Sequence, residues 1–443
     1  METSYITKKD IESTQKLLDF IKKSPSCYHA VRNIREEFME NGCEVLTEGK
    51  KWDLKAGGSY VVTRNQSSLI AFQIPEKVQN GFLICASHSD SPTFKLKSNY
   101  EMTVEDRYVK LNVEKYGGMI CSTWLDRPLS IAGRVVVDTP DGVESVLVNL
   151  DRDLCVIPNL AIHMNRQINE GYTFNAQKDM LPLIGEGTAK GKLKELLAKE
   201  AGVGEDALLG YDLFLYLREE GRIWGVDREF CSSPKLDDLQ CAFSSKEAFL
   251  QAGNPEMIKV LAVFDNEEVG SGTKQGAKST FLMDILTRIQ ESLHLTGEDR
   301  IRQIASSMML SADNGHALHP NHPDKADPTN APRLNGGVLL KYNAAQKYTT
   351  DGIAEALFKK VLTGKKIPFQ EYTNRSDIAG GSTLGNLSNE KLSLNTVDMG
   401  AAQLAMHSSY ETGGTKDTGY LIDGMKAFYE MKLTMEEDGK YRC

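Results

Sequence analysis

Residues 257–270 read MIKVLAVFDNEEVG, an apolar run that opens directly into three carboxylates. Apart from Lys259, its first eight residues are apolar, which is typical of a strand buried on both faces. Asp265, Glu267 and Glu268 then follow within four residues. Crowded carboxylates raise one another's pKa and destabilise a fold unless water or a cation neutralises them. The stretch therefore predicts either a solvated turn at a strand end or a cation site.

Polar clusters elsewhere in the chain occupy comparable positions, mostly where apolar runs end. In an open α/β sheet, side chains at the carboxyl ends of strands converge across long sequence separations. The two imidazoles and three carboxylates of these clusters suit two divalent ions of the zinc, cobalt or manganese type, with one carboxylate bridging them. The candidate ligands are His88, Asp237, Glu268, Asp313 and His407.

Two further side chains near these ligands predict roles in catalysis. Glu267 is left free beside Glu268 and can take a proton from water, the general-base role of metal-assisted hydrolysis. Asp90, two residues after His88, can accept the second ring N–H of that histidine and fix its tautomer.

Each motif also has a simpler explanation. A lone His-x-Asp, as at His88 and Asp90, is often a surface or capping motif. Asp237 and Asp238 can cap the start of a helix, and a Glu-Glu pair at a strand end can lie in a solvated turn. The shared position of the motifs after apolar runs favours the metal site over these alternatives.

The composition argues against several classes of partner. With 443 residues, of which 40% are hydrophobic and 26% charged, the chain can bury a large core. The net charge of −9, without a basic stripe, argues against nucleic acid and anionic membranes. There is no apolar signal region at the N-terminus and no apolar run long enough to cross a bilayer. The eight cysteines are scattered without a C-x-x-C pair, which predicts reduced thiols in a cytoplasmic protein and disfavours a thiolate metal site.

The pattern of apolar residues predicts an α/β fold with an insertion. Helical spacing is found at 10–23 and 280–293, and short apolar runs at 68–74 and 81–86 predict strands. From about residue 97 short strand-like segments with Gly and Asp between them dominate, until the α/β pattern returns after Pro234. We therefore predict a catalytic α/β domain of residues 1–96 and 234–443, split by an inserted β-rich domain of residues 97–233.

Six segments of the chain resemble the aspartyl aminopeptidase family, metallopeptidase family eighteen, in its bacterial form. They occur in the family's order and span nearly the whole chain. They are ASHSDSPTFKLK (86–97), TWLDRPLSIAGRV (123–135), PKLDDLQCAF (234–243), FDNEEVGS (264–271), SADNGHALHPN (311–321) and QLAMHSSYET (403–412).

The resemblance implies a role for each candidate residue. It implies the same five metal ligands, with Asp237 as the bridge, Glu267 as general base and Asp90 supporting His88. It also implies that His163, in AIHMNRQ, enters an active site, commonly that of a neighbouring subunit, where it polarises the scissile carbonyl or stabilises the oxyanion.

His316 and Lys341 match family positions associated with the pocket for the N-terminal side chain of the substrate. For these three residues the residue chemistry alone leaves other readings open. His163 can be a hydrogen-bonded surface histidine or a metal ligand, His316 a satisfied loop histidine and Lys341 a solvated lysine.

The family's architecture is a globular mixed-sheet, two-metal peptidase domain with an inserted β-rich domain for subunit contacts. Its members form tetrahedral dodecamers that enclose a chamber, which favours short peptides as substrates. This sequence departs from the family pattern at two places. Asp238 stands where Asn usually follows the bridging Asp, and residues 375–381 read RSDIAGG instead of RNDSPCG. Both lie near the substrate side and leave open whether acidic or neutral aliphatic N-terminal residues are preferred.

We therefore predict an aminopeptidase that uses two divalent metal ions, zinc or alternatively cobalt or manganese, to remove single N-terminal residues from short peptides. The enzyme alternative is a deacylase of N-acyl amino acids, because two-metal sites of this kind also cleave other amides. The alternative from another class is a non-catalytic scaffold or cargo protein that retains its metals.

Overall fold

A nine-stranded mixed sheet forms the centre of the chain. The computed structural model describes residues 5–78, 81–253 and 256–443. In spatial order the strands are β1 (Glu44–Leu46), β2 (Ser59–Arg64), β3 (Ser68–Gln73), β13 (Ile258–Phe264), β4 (Phe82–His88), β14 (Met308–Ala312), β18 (Asn395–Gly400), β16 (Val338–Tyr342) and β17 (Phe369–Thr373). The central strands β13, β4, β14 and β18 are mutually parallel.

The central strands are buried along nearly their whole length because both of their faces are covered. Every residue of β4 and of β13 is buried. Alternate side chains enter opposite cores: Leu83 and Cys85 pack on one face, and Phe82 and Ile84 on the other. This is the burial expected of parallel strands between two helical layers, and it explains the predominantly apolar run of the opening stretch.

Nine helices occur in the described part of the chain. They are α1 (Lys8–Lys22), α2 (Cys27–Glu40), α3 (Lys192–Ala201), α4 (Leu236–Gln251), α5 (Phe281–Ser292), α6 (Gly297–Ala305), α7 (Gly352–Gly364), α8 (Leu384–Asn389) and α9 (Asp417–Tyr429). Buried residues of α1, α2, α4, α7 and α9 belong to the core on one face of the central sheet. Those of α5 belong to the core on the other face.

A second, six-stranded sheet is antiparallel throughout and has its own apolar core. In spatial order it contains β8 (Gly142–Asn149), β7 (Leu129–Thr139), β10 (Leu208–Leu217), β5 (Thr93–Val104), β6 (Tyr108–Tyr116) and β9 (Leu183–Glu186). Apart from the first four residues of β5, this sheet and α3 lie within the stretch whose pattern predicts an insertion. The predicted domain limits at residues 97 and 233 stay a prediction.

Two smaller sheets complete the described structure. The five-stranded one contains β11 (Arg222–Trp224), β12 (Phe230–Ser233), β20 (Glu411–Gly414), β19 (Ala402–Leu404) and β15 (Gly315–His316). The two-stranded one contains β21 (Thr434–Glu437) and β22 (Lys440–Arg442). Because the five-stranded sheet pairs β12 with β20, it joins the end of the predicted insertion to the C-terminal part of the chain.

The prediction of an α/β fold with mixed sheets is confirmed. The helices predicted at 10–23 and 280–293 are α1 and α5, each within two residues of the predicted limits. All eight cysteines are free thiols, and six of them are buried. Among the described residues, no helix combines the length and the apolar character needed to cross a membrane.

Candidate metal centre

The predicted ligands come together because three parallel strands end side by side. His88 is the last residue of β4 and is in register with Phe264, the last residue of β13. Glu268 follows in the turn after β13, and Asp313 follows β14 on the other side of β4. The carboxyl ends of parallel strands thus bring together residues separated by more than two hundred positions, as the sequence predicts.

The remaining two candidate ligands are supplied by other elements. Asp237 lies at the start of α4, where its backbone is not helical, and His407 follows β19 in a left-handed conformation. Asp237 does not cap the helix in the way that the simpler explanation proposed, because its side chain faces both histidines. Its Oδ1 lies 3.5 Å from Nε2 of His88, and its Oδ2 lies 3.4 Å from Nε2 of His407.

Side chains able to bind a metal ion form three overlapping groups in the described structure. Within each group, one ligand atom per residue lies within 4.8 Å of all the others. The groups are His88, Asp237, Asp238 and Asp313; Asp237, Glu268 and His407; and His88, Glu267 and Glu268. Asp237 is common to the first two groups, the arrangement that a carboxylate shared by two ions requires.

Several buried oxygens of this cluster have no hydrogen-bond partner among the described residues: Oδ1 of Asp237, Oδ1 of Asp238 and Oε1 of Glu268. A buried carboxylate oxygen without a partner is costly unless a cation or a donor reaches it. The donor set of imidazole nitrogens and carboxylate oxygens is one that zinc, cobalt and manganese accept. The residues present therefore fit a metal centre.

The electrostatics of the cluster point in the same direction. Burial, together with neighbouring carboxylates, raises the pKa of Glu267 to about 8 and that of Asp265 to about 7. Burial likewise raises the pKa of Asp313 to about 6 and holds that of Glu268 well above its usual range, with Asp237 adding to the second shift. These carboxyl groups resist ionisation in the metal-free chain, and a divalent cation among them would remove that resistance. A simple solvated turn at 265–268 does not describe this stretch.

Asp90 connects three parts of the cluster and is itself only 3% exposed. Nδ1 of His88 lies 3.1 Å from the main-chain oxygen of Asp90 and 3.3 Å from its Oδ1. The main-chain N–H groups of Glu267 and Glu268 donate to Oδ1 and Oδ2 of Asp90, each over 3.2 Å. This geometry leaves Nε2 of His88 directed at Asp237, and the supporting role of Asp90 stays a prediction.

Glu411 is a second buried carboxylate of this kind, and sequence reasoning gave it no role. The main-chain N–H of Asp237 donates to its Oε2 over 3.0 Å, and that of His407 donates to its Oε1 over 2.7 Å. Burial and the charge of Asp237 raise the pKa of Glu411 to about 8. Its sequence position, four residues after His407 in the QLAMHSSYET segment, was the available signal.

Lys341 is not the solvated lysine that one reading of the sequence allowed. It is 1% exposed, its Nζ lies 3.7 Å from Oδ2 of Asp313, and it donates to the main-chain oxygen of Asn314 over 3.2 Å. The ammonium also lies over the ring of Tyr348, 5.0 Å from its centre. Lys341 therefore compensates the charge of Asp313, a predicted metal ligand. Its predicted role in the pocket for the substrate side chain stays a prediction.

His316 lines a cavity of about 440 Å³ beside the cluster. Its ring meets that of Tyr372 edge-on, with the centres 6.2 Å apart. Part of the 375–381 segment, which departs from the family pattern, also lines the cavity. Its volume lies within the range of small-molecule binding sites.

His163 lies apart from these groups. Its side chain is exposed, in a turn, and it belongs to none of the ligand groups found among the described residues. Three large apolar neighbours are exposed as well: Leu160 at 56%, Ile162 at 48% and Met164 at 75%. Within one chain the structure thus gives no support to a metal role for His163, and its predicted role in a neighbouring subunit stays a prediction.

Comparison with known proteins identifies relatives over nearly the whole chain. A family model described as "Aminopeptidase I zinc metalloprotease (M18)" matches residues 20–429. A probable M18 family aminopeptidase 2 of Clostridium acetobutylicum is 45% identical over 432 residues, which cover 96% of this chain and 100% of the relative. Aspartyl aminopeptidase 1 of Schizosaccharomyces pombe is 38% identical over 453 residues and 95% of each chain.

Solved structures agree with these relatives. A chain in a cryo-EM structure of the Ape4 and Nbr1 complex superposes with a TM-score of 0.91 at 36% identity, covering 96% of this chain and 87% of that one. The mApe1 dodecamer of S. cerevisiae gives a TM-score of 0.82 at 27% identity, covering 96% of this chain and 97% of that one. The motifs, the fold and these matches together place the chain in the M18 family of zinc aminopeptidases, metal-dependent hydrolases that act on peptide bonds.

Proposed function

We propose that the chain is a dinuclear aminopeptidase that releases single N-terminal residues from short peptides. The observation that carries this proposal is the position of Asp237, whose two oxygens face the histidines of two different ligand groups. His88 and Asp313 would hold one ion and Glu268 and His407 the other, with Asp237 shared between them. Zinc, which the family description names, is the first candidate, with cobalt and manganese as alternatives.

The chemistry follows from the side chains around the two ions. Bound divalent ions would polarise the scissile carbonyl and lower the pKa of an attacking water. Glu267 takes the proton of that water and passes it to the leaving amine. Its burial supports this role, because a carboxyl group in such surroundings has a higher proton affinity than one in water. The free ammonium of the substrate binds among the carboxylates of the cluster, which restricts the enzyme to N-terminal residues.

We also propose that the cavity beside His316 accepts the N-terminal side chain and prefers acidic residues. His319, His322 and Lys325 line the same cavity. Arg375 lines it too, but its guanidinium is engaged by Asp377, with N–O distances of 2.7 and 3.1 Å. Asp327 lines the cavity as well, so the support for binding an aspartate or glutamate side chain over an aliphatic one comes from the hydrogen-bond donors of the histidines and of Lys325.

A homo-oligomer, as in the mApe1 dodecamer, is the third part of the proposal. The exposed apolar side chains of Leu160, Ile162 and Met164 around His163 support an interface at that turn. His163 would then complete the site of a neighbouring subunit. Mixing His163→Ala and Glu267→Gln chains, each inactive alone, should restore activity, since one kind of mixed site would contain both residues. No recovery in mixed oligomers would place His163 in the site of its own chain or outside any site.

A cytoplasmic location remains part of the proposal and rests on the eight free thiols.

The first test is turnover by metal-stripped protein on a panel of X-Ala-Ala peptides, with zinc, cobalt or manganese supplied again. Metal-dependent release of free X, and none from N-acetylated peptides, is the expected result. A preference for Asp and Glu over Leu and Met would support the acidic pocket. Cleavage of blocked substrates alone would favour the deacylase, and metal binding without any turnover would favour the scaffold.

A further inference from the structure

The six-stranded sheet contacts the metal centre at the end of β6. Tyr116, the last residue of that strand, donates its hydroxyl proton to Oδ2 of Asp90 over 2.7 Å. The next residue, Gly117, has a positive φ of 79°, and a side chain there would meet Cβ of Glu268 at 3.1 Å. The carbonyl of Gly118 accepts from Nδ1 of His407 over 2.5 Å. Three consecutive residues therefore touch three parts of the cluster.

The hydrogen bonds around Tyr116 have a fixed direction. Oδ1 of Asn266 accepts from Oγ1 of Thr273 and from Nε2 of Gln275, each over 2.8 Å, which turns its Nδ2 toward Tyr116. That Nδ2 donates to the hydroxyl oxygen of Tyr116 over 2.7 Å. A tyrosine has one hydroxyl proton. Asn266 acts as a donor to the hydroxyl oxygen and does not accept that proton, so Tyr116 can donate it to Asp90.

Asp90 connects Tyr116 to Glu267 and Glu268. Its two oxygens also receive the main-chain N–H groups of Glu267 and Glu268. With Tyr116 holding one oxygen, the carboxylate plane is fixed relative to both glutamates and to Nδ1 of His88. Burial and the neighbouring carboxylate raise the pKa of Tyr116, which keeps the phenol protonated and able to donate.

We propose that Tyr116 is a positioning residue, through which the six-stranded sheet sets the orientation of Glu267 and Glu268 by way of Asp90. It is not a catalytic residue, since its hydroxyl is engaged by Asp90 and Asn266. The inference rests on the proposed function only where it names Glu267 as the general base. The positioning of the ligands themselves can be tested without turnover.

The first variant is Tyr116→Phe, which keeps the ring that packs edge-on against Phe214, with centres 5.5 Å apart. Outer hydrogen bonds to metal ligands typically contribute about 10–100-fold in activity or metal affinity. We expect kcat to fall by about tenfold with KM changed less than about twofold. The visible absorption of the cobalt-substituted protein should change as well, while the melting temperature stays close to that of the unmodified chain.

The matched control is Tyr211→Phe in the same sheet. Tyr211 is also half-buried, and its hydroxyl donates to the main-chain oxygens of Lys97 and Ser98, away from the cluster. It should leave kcat and the cobalt spectrum unchanged. Tyr116→Phe with an unchanged kcat and an unchanged cobalt spectrum would overturn the proposal, and so would equal effects of the two variants.

The second variant, Asn266→Asp, tests the direction of the chain of hydrogen bonds. An aspartate there accepts the hydroxyl proton of Tyr116 and draws it away from Asp90. In the chain that retains Tyr116, Asn266→Asp should therefore change kcat and the cobalt spectrum strongly. In the Tyr116→Phe background the same substitution should have a much smaller effect. Additive effects would refute this direction. If the unmodified protein turned over no peptide, the proposed function would fail, and the cobalt spectra would still decide the role of Tyr116.

Discussion

Chelation of the bound metal should leave several buried carboxylates without a counter-charge, and the stability of the chain should then decrease as the pH rises. In the metal-free chain the pKa of Glu267 and that of Glu411 are both raised to about 8 by burial, from 4.5. Between pH 4.5 and 8 the folded chain therefore holds protons that the unfolded chain releases. Each such group lowers the free energy of unfolding by about 1.4 kcal/mol for every pH unit of increase in this window.

The metal-loaded protein should show the opposite slope. Its ligands must be ionised to bind, so protons compete with the metal, and the stabilisation by metal weakens as the pH falls. The assay is urea unfolding at pH 6 and at pH 7, with and without chelator. The chelated protein should be more stable at pH 6, and the metal-loaded protein more stable at pH 7.

The contribution of one residue can be isolated with Glu267→Gln, which removes one titrating group and keeps the shape of the side chain. In chelated protein this variant should reduce the difference between pH 6 and pH 7 by about 1.4 kcal/mol. The control is Glu40→Gln at the exposed end of α2, which should leave the difference unchanged. A chelated protein whose stability increases with pH as steeply as that of the loaded protein would refute the reasoning.

Three further variants test individual residues of the centre. Glu267→Gln should lower kcat by about 10²–10⁴-fold, the usual contribution of a general base, with metal content unchanged; loss of metal from this variant would contradict the assignment. Glu411→Gln places an N–H where one of the two main-chain donors of Asp237 and His407 needs an acceptor. It should weaken metal binding by about 10–100-fold in competition with a chelator. Unchanged binding would show that Glu411 does not position Asp237 and His407. Lys341→Met leaves Asp313 buried without its cation and should lower the free energy of unfolding by about 3–5 kcal/mol in urea; a stability equal to that of the unmodified chain would show that Lys341 does not compensate Asp313.

The convergence of the candidate metal ligands could be predicted from the sequence because it depends on local patterns. The apolar runs before His88, Asp313 and Glu267 form parallel neighbouring strands, and such strands end at the same edge of a sheet. Once the runs were identified as strands, the convergence of their polar ends followed. The crowding of carboxylates after Phe264 was itself the signal, because it is unfavourable without a cation.

The supporting residues could not be predicted in this way. Glu411 acts on the main chain of Asp237, 174 residues earlier, and Tyr116 acts on Asp90 from a different sheet. Neither residue belongs to a short motif with a chemical meaning of its own. Their roles depend on which main-chain N–H groups face inward, and periodicity carries no information on that.

Lys341 shows a different limit on what the sequence predicts, namely whether a charged residue at a strand end is buried. A lysine within the apolar segment GGVLLKYNA is consistent with a strand that exposes one side chain at its end. In the structure the strand is buried on both sides at that point, and the charge is retained because Asp313 and a carbonyl oxygen receive it. Only the three-dimensional partner distinguishes the two cases.

The placement of β4 has a consequence for how the chain is made. Its two neighbours, β13 and β14, both come from residues beyond 257. On the ribosome, β4 therefore emerges long before either partner, with two unsatisfied edges and a mostly apolar surface. The six-stranded sheet is complete at residue 217 and can fold in the meantime, whereas β4 must wait for both of its partners. Chains that end between residue 217 and β13 would expose the unpaired edges of β4, which are prone to aggregate. We therefore expect nascent or truncated forms of this enzyme to depend on chaperones more than the full-length protein does.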